Sequence, residues 1–169
     1  MTAIIFPGQG SQYLNMSMDF NENFDVAKKV FQEIEDNTQI NIRKIIAENP
    51  SDKLNQTNYT QLSIFSASMA IYKLLLNEFG IEILNPEIFL GHSLGEYSAL
   101  VAGNFINIAD ASILIKKRGE LMHTSIEPNV SGMAAIIGKN ADFIDDVIKK
   151  NNLKIVIAND NSPMQVVVS

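Results

Sequence analysis

There is no cysteine among the 169 residues, which removes disulfides, thiolate metal sites and cysteine nucleophiles together. Histidine is nearly as scarce: only His92 and His123 occur, so chemistry that needs an imidazole has two candidates in this stretch. A basic n-region is also missing. The chain opens Met1-Thr2-Ala3-Ile4-Ile5-Phe6-Pro7, a short apolar run stopped by proline, which does not read as a secretory signal. The longest apolar stretch, Leu62 to Leu76, is interrupted by Ser63, Ser66, Ser68, Tyr72 and Lys73, and reads as a buried helix too short and too polar for a bilayer. Basic charge is in deficit: the formal net charge is −6 and the pI about 4.8. The field of the whole molecule therefore repels nucleic acid and anionic membranes, and neither is expected as a partner. An anionic ligand would have to be met by a local cationic patch, and the cytoplasm is the default compartment.

What is present is enough for a core, with 46% hydrophobic and 19% charged residues. Ala3 to Phe6 reads as a buried strand stopped by Pro7-Gly8 and followed by the loop Gln9-Gly10-Ser11-Gln12. Val26, Val30, Phe31 and Ile34 recur at helical spacing within Asp25 to Glu35. A second helix, from Thr60 to Phe79, is apolar nearly all round and therefore central, with Gly80 placed for a left-handed cap. Glu87 to Leu90 is a short strand, followed by a glycine-rich turn and a helix to Ala102, which is the α/β signature. From Met133 the order becomes strand (to Ile137), helix (Ala141 to Lys150), strand (Leu153 to Ala158), strand (Met164 to Val168). That is β-α-β-β, the first two-thirds of a ferredoxin-like β-α-β-β-α-β unit. The expected organisation is α/β: a large subdomain with a mostly parallel sheet over residues 1–130, then the start of a small ferredoxin-like subdomain over residues 131–169. Because the small unit stops before its last helix and strand, the chain is expected to be truncated.

Gly91-x-Ser93-x-Gly95 fits a nucleophile elbow, in which a serine sits on a sharp strand-to-helix turn. Glycines flank it because a β-carbon at either place would collide with the neighbouring strand and helix. The turn exposes the hydroxyl and sets the backbone N–H of Leu94 at a helix N-terminus, where an oxyanion can be stabilised. The pattern equally fits an unreactive glycine-rich turn or an α/β-hydrolase that uses water as acceptor. Arg118 is the other candidate. On a helix from about Ala109 to Ser125 its neighbours three and four residues away are Leu114, Ile115, Leu121 and Met122, an apolar stripe. A guanidinium there needs an internal acid such as Glu96, or an anionic ligand.

Gly91-His92-Ser93-Leu94-Gly95-Glu96-Tyr97-Ser98-Ala99-Leu100 resembles the active-serine segment of malonyl-CoA:acyl-carrier-protein transacylases. Phe6-Pro7-Gly8-Gln9-Gly10-Ser11-Gln12 resembles the same family's N-terminal motif, and Lys117-Arg118-Gly119-Glu120-Leu121-Met122 and Asn161-Ser162-Pro163-x-Gln165-Val166-Val167 add two further matches. The sequence departs from the family at Leu62, where proline often follows the glutamine, near Asn15 and Ser17, where glycines are common, and at Met164, where glycine is usual. The resemblance implies ping-pong transfer of malonyl from malonyl-CoA to Ser93, then to the phosphopantetheine thiol of acyl carrier protein, in fatty acid biosynthesis. It implies no metal and no cofactor beyond that thiol. It assigns the second oxyanion donor to the backbone of Gln9, which otherwise only satisfies its own loop, and the malonyl carboxylate to Arg118 through a bidentate contact.

A serine hydroxyl still needs a base, usually histidine. His92 adjoins the nucleophile on the turn, where neighbouring side chains diverge, and His123 falls in the last turn of the arginine helix, near its carbonyls. The resemblance places the catalytic histidine after the small subdomain, beyond Ser169. The competing readings are a serine hydrolase or thioesterase using the same elbow, and a non-catalytic fragment that lacks its base.

Overall fold

A computed structural model describes residues 2–125, 130 and 132–169. Two compact units are present, Met1–Ser125 and Ile126–Ser169. The boundary drawn from the sequence between residues 130 and 131 involves Ser131, which lies outside the described residues.

The first unit runs β1 (Ala3–Phe6), α1 (Met18–Asn23), α2 (Asp25–Thr38), α3 (Ile42–Glu48), a 3-10 segment (Pro50–Asn55), α4 (Thr57–Leu84), β2 (Ile88–Gly91), α5 (Gly95–Ala102) and α6 (Ile108–Thr124). β1 and β2 pair in parallel, with Ala3 opposite Ile88 and Phe6 opposite Gly91. Helix α4 is the centre, with Leu62, Phe65, Met69 and Ala70 fully buried among Phe31 and Ile34 of α2 and Ile115 of α6. Burial on several sides explains why it shows no polar face. It is longer than the apolar run in the sequence, and by length and composition alone it could cross a membrane; within this unit it is the core helix.

Gly80 is not the left-handed cap expected of it. Its φ of 74° and ψ of 161° form a break open only to glycine, after which one more turn follows. The left-handed cap is Asn85, whose N–H donates to the carbonyl of Ile81 at 2.6 Å. Asparagine also caps the starts of α3 and α6: Asn41 Oδ1 accepts from the Lys44 N–H at 3.0 Å and Asn107 Oδ1 from the Asp110 N–H at 2.7 Å.

The second unit contains β3 (Ala134–Ile137), α7 (Ala141–Lys150), β4 (Ile157–Ser162) and β5 (Gln165–Val168). All pairing is antiparallel, in the order β3-β5-β4. Ile144 of α7 packs on Val166 and Val168 of β5 to make a small core. β4 differs from the strand read at Leu153 to Ala158. Leu153 to Ile155 stay outside it; Val156 exchanges two hydrogen bonds with Ser169 at 2.8 and 2.9 Å, Ile157 pairs with Val168, and the strand continues through the polar Asn159, Asp160 and Asn161. It is an edge strand interrupted by register shifts, so polar residues replace the alternation that identifies a strand in sequence.

Candidate active site

Parallel pairing of β1 and β2 brings their C-terminal ends to one edge of the sheet, which is where open α/β sheets bind ligands. From β1 the chain leaves through Pro7, Gly8 and Gln9; from β2 it turns through His92 and Ser93 into α5. The two connections touch. The His92 N–H donates to the Phe6 carbonyl at 3.3 Å, and a β-carbon on Gly8 would lie 2.6 Å from the His92 carbonyl oxygen. Side chains are equally excluded at the glycines flanking the serine. A β-carbon at Gly91 would sit 1.9 Å from the Gly95 carbonyl carbon, and one at Gly95 would sit 2.3 Å from the Phe6 oxygen.

Ser93 is exposed and has a φ of 52°, a left-handed conformation that costs a non-glycine residue of order 1–3 kcal/mol and is kept only where the surroundings enforce it. Here the turn is closed by the Gly95 N–H on the His92 carbonyl at 2.9 Å and the Glu96 N–H on the Ser93 carbonyl at 3.2 Å. The Leu94 side chain is buried, while its N–H, at the start of α5, donates to no other described residue. In the loop after β1 the Gly10 N–H is taken by Gln12 Oε1 at 2.8 Å and the Ser11 N–H by the Gly8 carbonyl at 3.4 Å. The Gln9 N–H has no acceptor among the described residues.

Arg118 reaches this turn from α6. Its Nη2 donates to Ser93 Oγ at 2.8 Å, its Nη1 donates to Gln61 Oε1, and the guanidinium lies 5.8 Å from the ring centre of Tyr97. No ion pair joins it to Glu96 among the described residues; the acid is exposed on α5. The stripe on which the sequence places Arg118 is not the buried one. α6 buries Ile108, Ala111, Ser112, Ile115 and Gly119, whereas Leu114, Leu121 and Met122 are half exposed. Arg118 sits half-buried at the margin of the packed face, with its charged end at the serine. The packed face lies very close to α4: a β-carbon on Gly119 would be 2.9 Å from Asn58 Cα.

Gln61 is the residue that sequence reading passed over, noticed only for the leucine after it. It is 1% exposed, and its carboxamide joins the oxygen to Arg118 and the Nε2 to Met122 Sδ at 3.2 Å. The signal was an amide inside an otherwise apolar helix. One turn earlier, Thr57 Oγ1 accepts from Gln9 Nε2 at 3.1 Å. His123 lies exposed on the last turn of α6, and His92 precedes the serine with its Nδ1 packed toward Gly8.

A strand-turn-helix with a serine at its tip and an arginine on that serine is an arrangement that acyl transfer can use, and comparison with known proteins gives the family. The chain belongs to the acyl transferase domain family, whose pattern it matches over residues 3–169. It is similar to the malonyl CoA-acyl carrier protein transacylase of Staphylococcus aureus (strain MRSA252), 37% identical over 99% of this chain and 54% of the relative. The enzyme of the same name from Bacillus subtilis (strain 168) is 35% identical over 99% of this chain and 52% of its own length. The chain thus spans about half the length of the curated relatives it matches. Among solved structures, the malonyl-CoA:acyl carrier protein transacylase of Xanthomonas oryzae superposes with a TM-score of 0.89 at 33% identity, over 99% of this chain and 55% of that one. A malonyl-transacylase solved in complex with a type II PKS acyl-carrier protein superposes with a TM-score of 0.88 at 36% identity, over 98% of this chain and 53% of that one. These neighbours make the fold an α/β acyltransferase fold.

Proposed function

We propose that the protein transfers a malonyl group from coenzyme A to the phosphopantetheine thiol of an acyl carrier protein, in fatty acid biosynthesis, through an acyl ester on Ser93. The observation that supports this most is the 2.8 Å contact between Arg118 Nη2 and Ser93 Oγ. A malonyl thioester carries a carboxylate one methylene from its reacting carbonyl, so a cation beside the nucleophile matches that substrate and no uncharged acyl group. The turn at Ser93 is then a nucleophile elbow. The N–H groups of Leu94 and Gln9, which have no acceptor among the described residues, form its oxyanion hole, each such donor contributing about 2.7–4 kcal/mol to acyl transfer.

In the proposed reaction Ser93 Oγ attacks the thioester carbonyl while its proton passes to an imidazole base. The tetrahedral oxyanion collapses, the C–S bond breaks, and coenzyme A leaves as the thiol with that proton. The carrier thiol then attacks the ester, gives its proton to the base, and Ser93 recovers it as the C–O bond breaks. Neither His92 nor His123 is assigned as the base. No metal or cofactor is assigned. The order β3-β5-β4 is what the β-α-β-β part of a ferredoxin-like unit gives, and we read residues 131–169 as that part. The reaction is placed in the cytoplasm with its thioester substrates. For carrier docking, Lys117 and Lys150 are the basic candidates; Lys116 and Lys149 are less suited, since Lys116 Nζ donates to the Thr38 carbonyl at 3.0 Å and Lys149 pairs with Asp145.

Mass spectrometry of the intact protein after incubation with malonyl-CoA is the direct test. A malonyl adduct is expected on Ser93 and absent in Ser93→Ala. An adduct that persists in that variant refutes the assignment.

A further inference from the structure

Arg118 is the one cation at the serine among the described contacts, yet nothing on α6 itself aims it. The side chain has many rotamers, and its helix leaves it half exposed. What fixes it is Gln61, from the opposite helix. We infer that Gln61 is the positioning residue for Arg118 and, through it, sets the preference for acyl groups that end in a carboxylate; this rests on the malonyl reading above.

Three features point this way. Gln61 is 1% exposed inside α4, so its carboxamide cannot turn to water. Both ends of that amide are engaged, Nε2 on Met122 Sδ and Oε1 on Arg118 Nη1, which sets the oxygen toward the guanidinium and holds it there. With one edge of the planar fork held, the other edge is directed at Ser93 Oγ, and the Tyr97 ring lies 5.8 Å away against the same group. The chemical type matters as much as the place. A half-buried arginine ordinarily pairs with an acid; an amide satisfies an N–H and leaves the positive charge uncompensated. That charge is available to a substrate carboxylate, and the serine oxygen that Nη2 now contacts marks where the malonyl group arrives.

Two substitutions separate positioning from packing. Gln61→Glu is nearly isosteric and keeps an acceptor, but it neutralises Arg118 with an internal carboxylate. Gln61→Leu keeps the bulk and removes the acceptor. In the intact protein, kcat/KM is measured for malonyl-CoA and acetyl-CoA, with thermal melts to check folding. The ratio of malonyl to acetyl is expected to fall about tenfold or more in Gln61→Glu, chiefly through the malonyl KM, and severalfold in Gln61→Leu. A ratio unchanged in both variants, or equal losses for both thioesters, overturns the inference and leaves Gln61 a packing residue. Arg118→Ala in parallel distinguishes the two levels. If it leaves the ratio unchanged, the carboxylate reading itself fails. If it collapses the ratio while Gln61→Glu does not, only the role of Gln61 fails.

Discussion

The contact between the first strand and the start of α5 can be broken by one methyl group. A β-carbon at Gly95 would lie 2.3 Å from the Phe6 oxygen, 2.9 Å from the Phe6 carbonyl carbon and 2.9 Å from the Pro7 oxygen. All three are backbone atoms, so no rotamer change relieves the overlap, and the nearest pair is about 1 Å inside van der Waals contact. Alanine gains about 0.5–1 kcal/mol of helix propensity over glycine, whereas overpacking of this kind costs about 1–3 kcal/mol. Gly95→Ala is therefore expected to lower Tm by several degrees, about 4 °C per kcal/mol of net loss. The relief available is to push the loop after β1 away from α5, and that loop carries the N–H of Gln9. If that donor is lost to the oxyanion, acylation of Ser93 slows by about 100- to 1,000-fold. The assay is the rate of malonyl-enzyme formation in the intact protein, beside a thermal melt. A variant that melts with the wild type and acylates at the wild-type rate would refute both the steric argument and the pairing of Gln9 with Leu94.

Arg118→Ala should reduce kcat/KM for malonyl-CoA by about 10- to 200-fold, the worth of a charge-assisted contact of roughly 1.5–3 kcal/mol, while acetyl transfer changes little. Arg118→Lys should recover only part of the loss, because an ammonium cannot grip two carboxylate oxygens; equal losses for both thioesters would make Arg118 structural. Tyr72 supplies a pH signature. Burial raises its pKa above the ordinary tyrosine value, so the unfolded state loses this proton first, and stability that is constant at neutral pH should decline as the pH rises past the ordinary value and on through the raised one. Tyr72→Phe keeps the edge contacts with Phe6 and Phe89 and loses the 3.2 Å bond to the Ala102 carbonyl. It should cost about 0.5–1.5 kcal/mol at pH 7 and flatten the alkaline slope. Urea titrations at pH 7 and above pH 10 measure both, and an unaltered slope would show that another group titrates.

Where the physics is local, the sequence is readable. β1, α7 and α5 lie where apolar period, small-residue turns and glycine stops put them, because each is bounded by residues that act on their own backbone. Elements decided by tertiary contact are less so. α1 and α3 are short and were not distinguished, and β4 is a polar edge whose identity comes from its partner β5. Asn15 and Ser17 show how a departure from a family pattern is absorbed: where glycines are common, both keep the left-handed backbone, at φ 63° and 61°. At the site, Ser93 and Arg118 could be named singly from motif and spacing, but their hydrogen bond joins residues 25 apart. Gln61 stands out in sequence only as an amide in an apolar helix, because its contact with Arg118 exists only when α4 and α6 are packed.

That packing argues for a site registered to one helix. Thr57 holds the side chain of Gln9, the backbone at Thr57 and Asn58 lies within 3.2 Å of where a Gly119 β-carbon would be, and Gln61 holds Arg118. The three contacts span little more than the first turn of α4, and the helix is fully buried from Thr60 through Ser66. A loop, a turn and a helix that are far apart in sequence thus take their positions from a single rigid start, where an error of 1 Å would be felt at the serine. Close approach at Gly119 requires the absence of a side chain, and it is this approach that lets the arginine of α6 reach across to the glutamine of α4 and on to Ser93. The left-handed strain at Ser93 is sustained on the other side by Gly91 and Gly95, where the backbones of β2, α5 and β1 leave no room for a β-carbon. Ser93 and Arg118 are therefore each held by close backbone packing on one side and a hydrogen bond on the other, the serine through Nη2 of Arg118 and the arginine through Oε1 of Gln61, an arrangement that sets their separation.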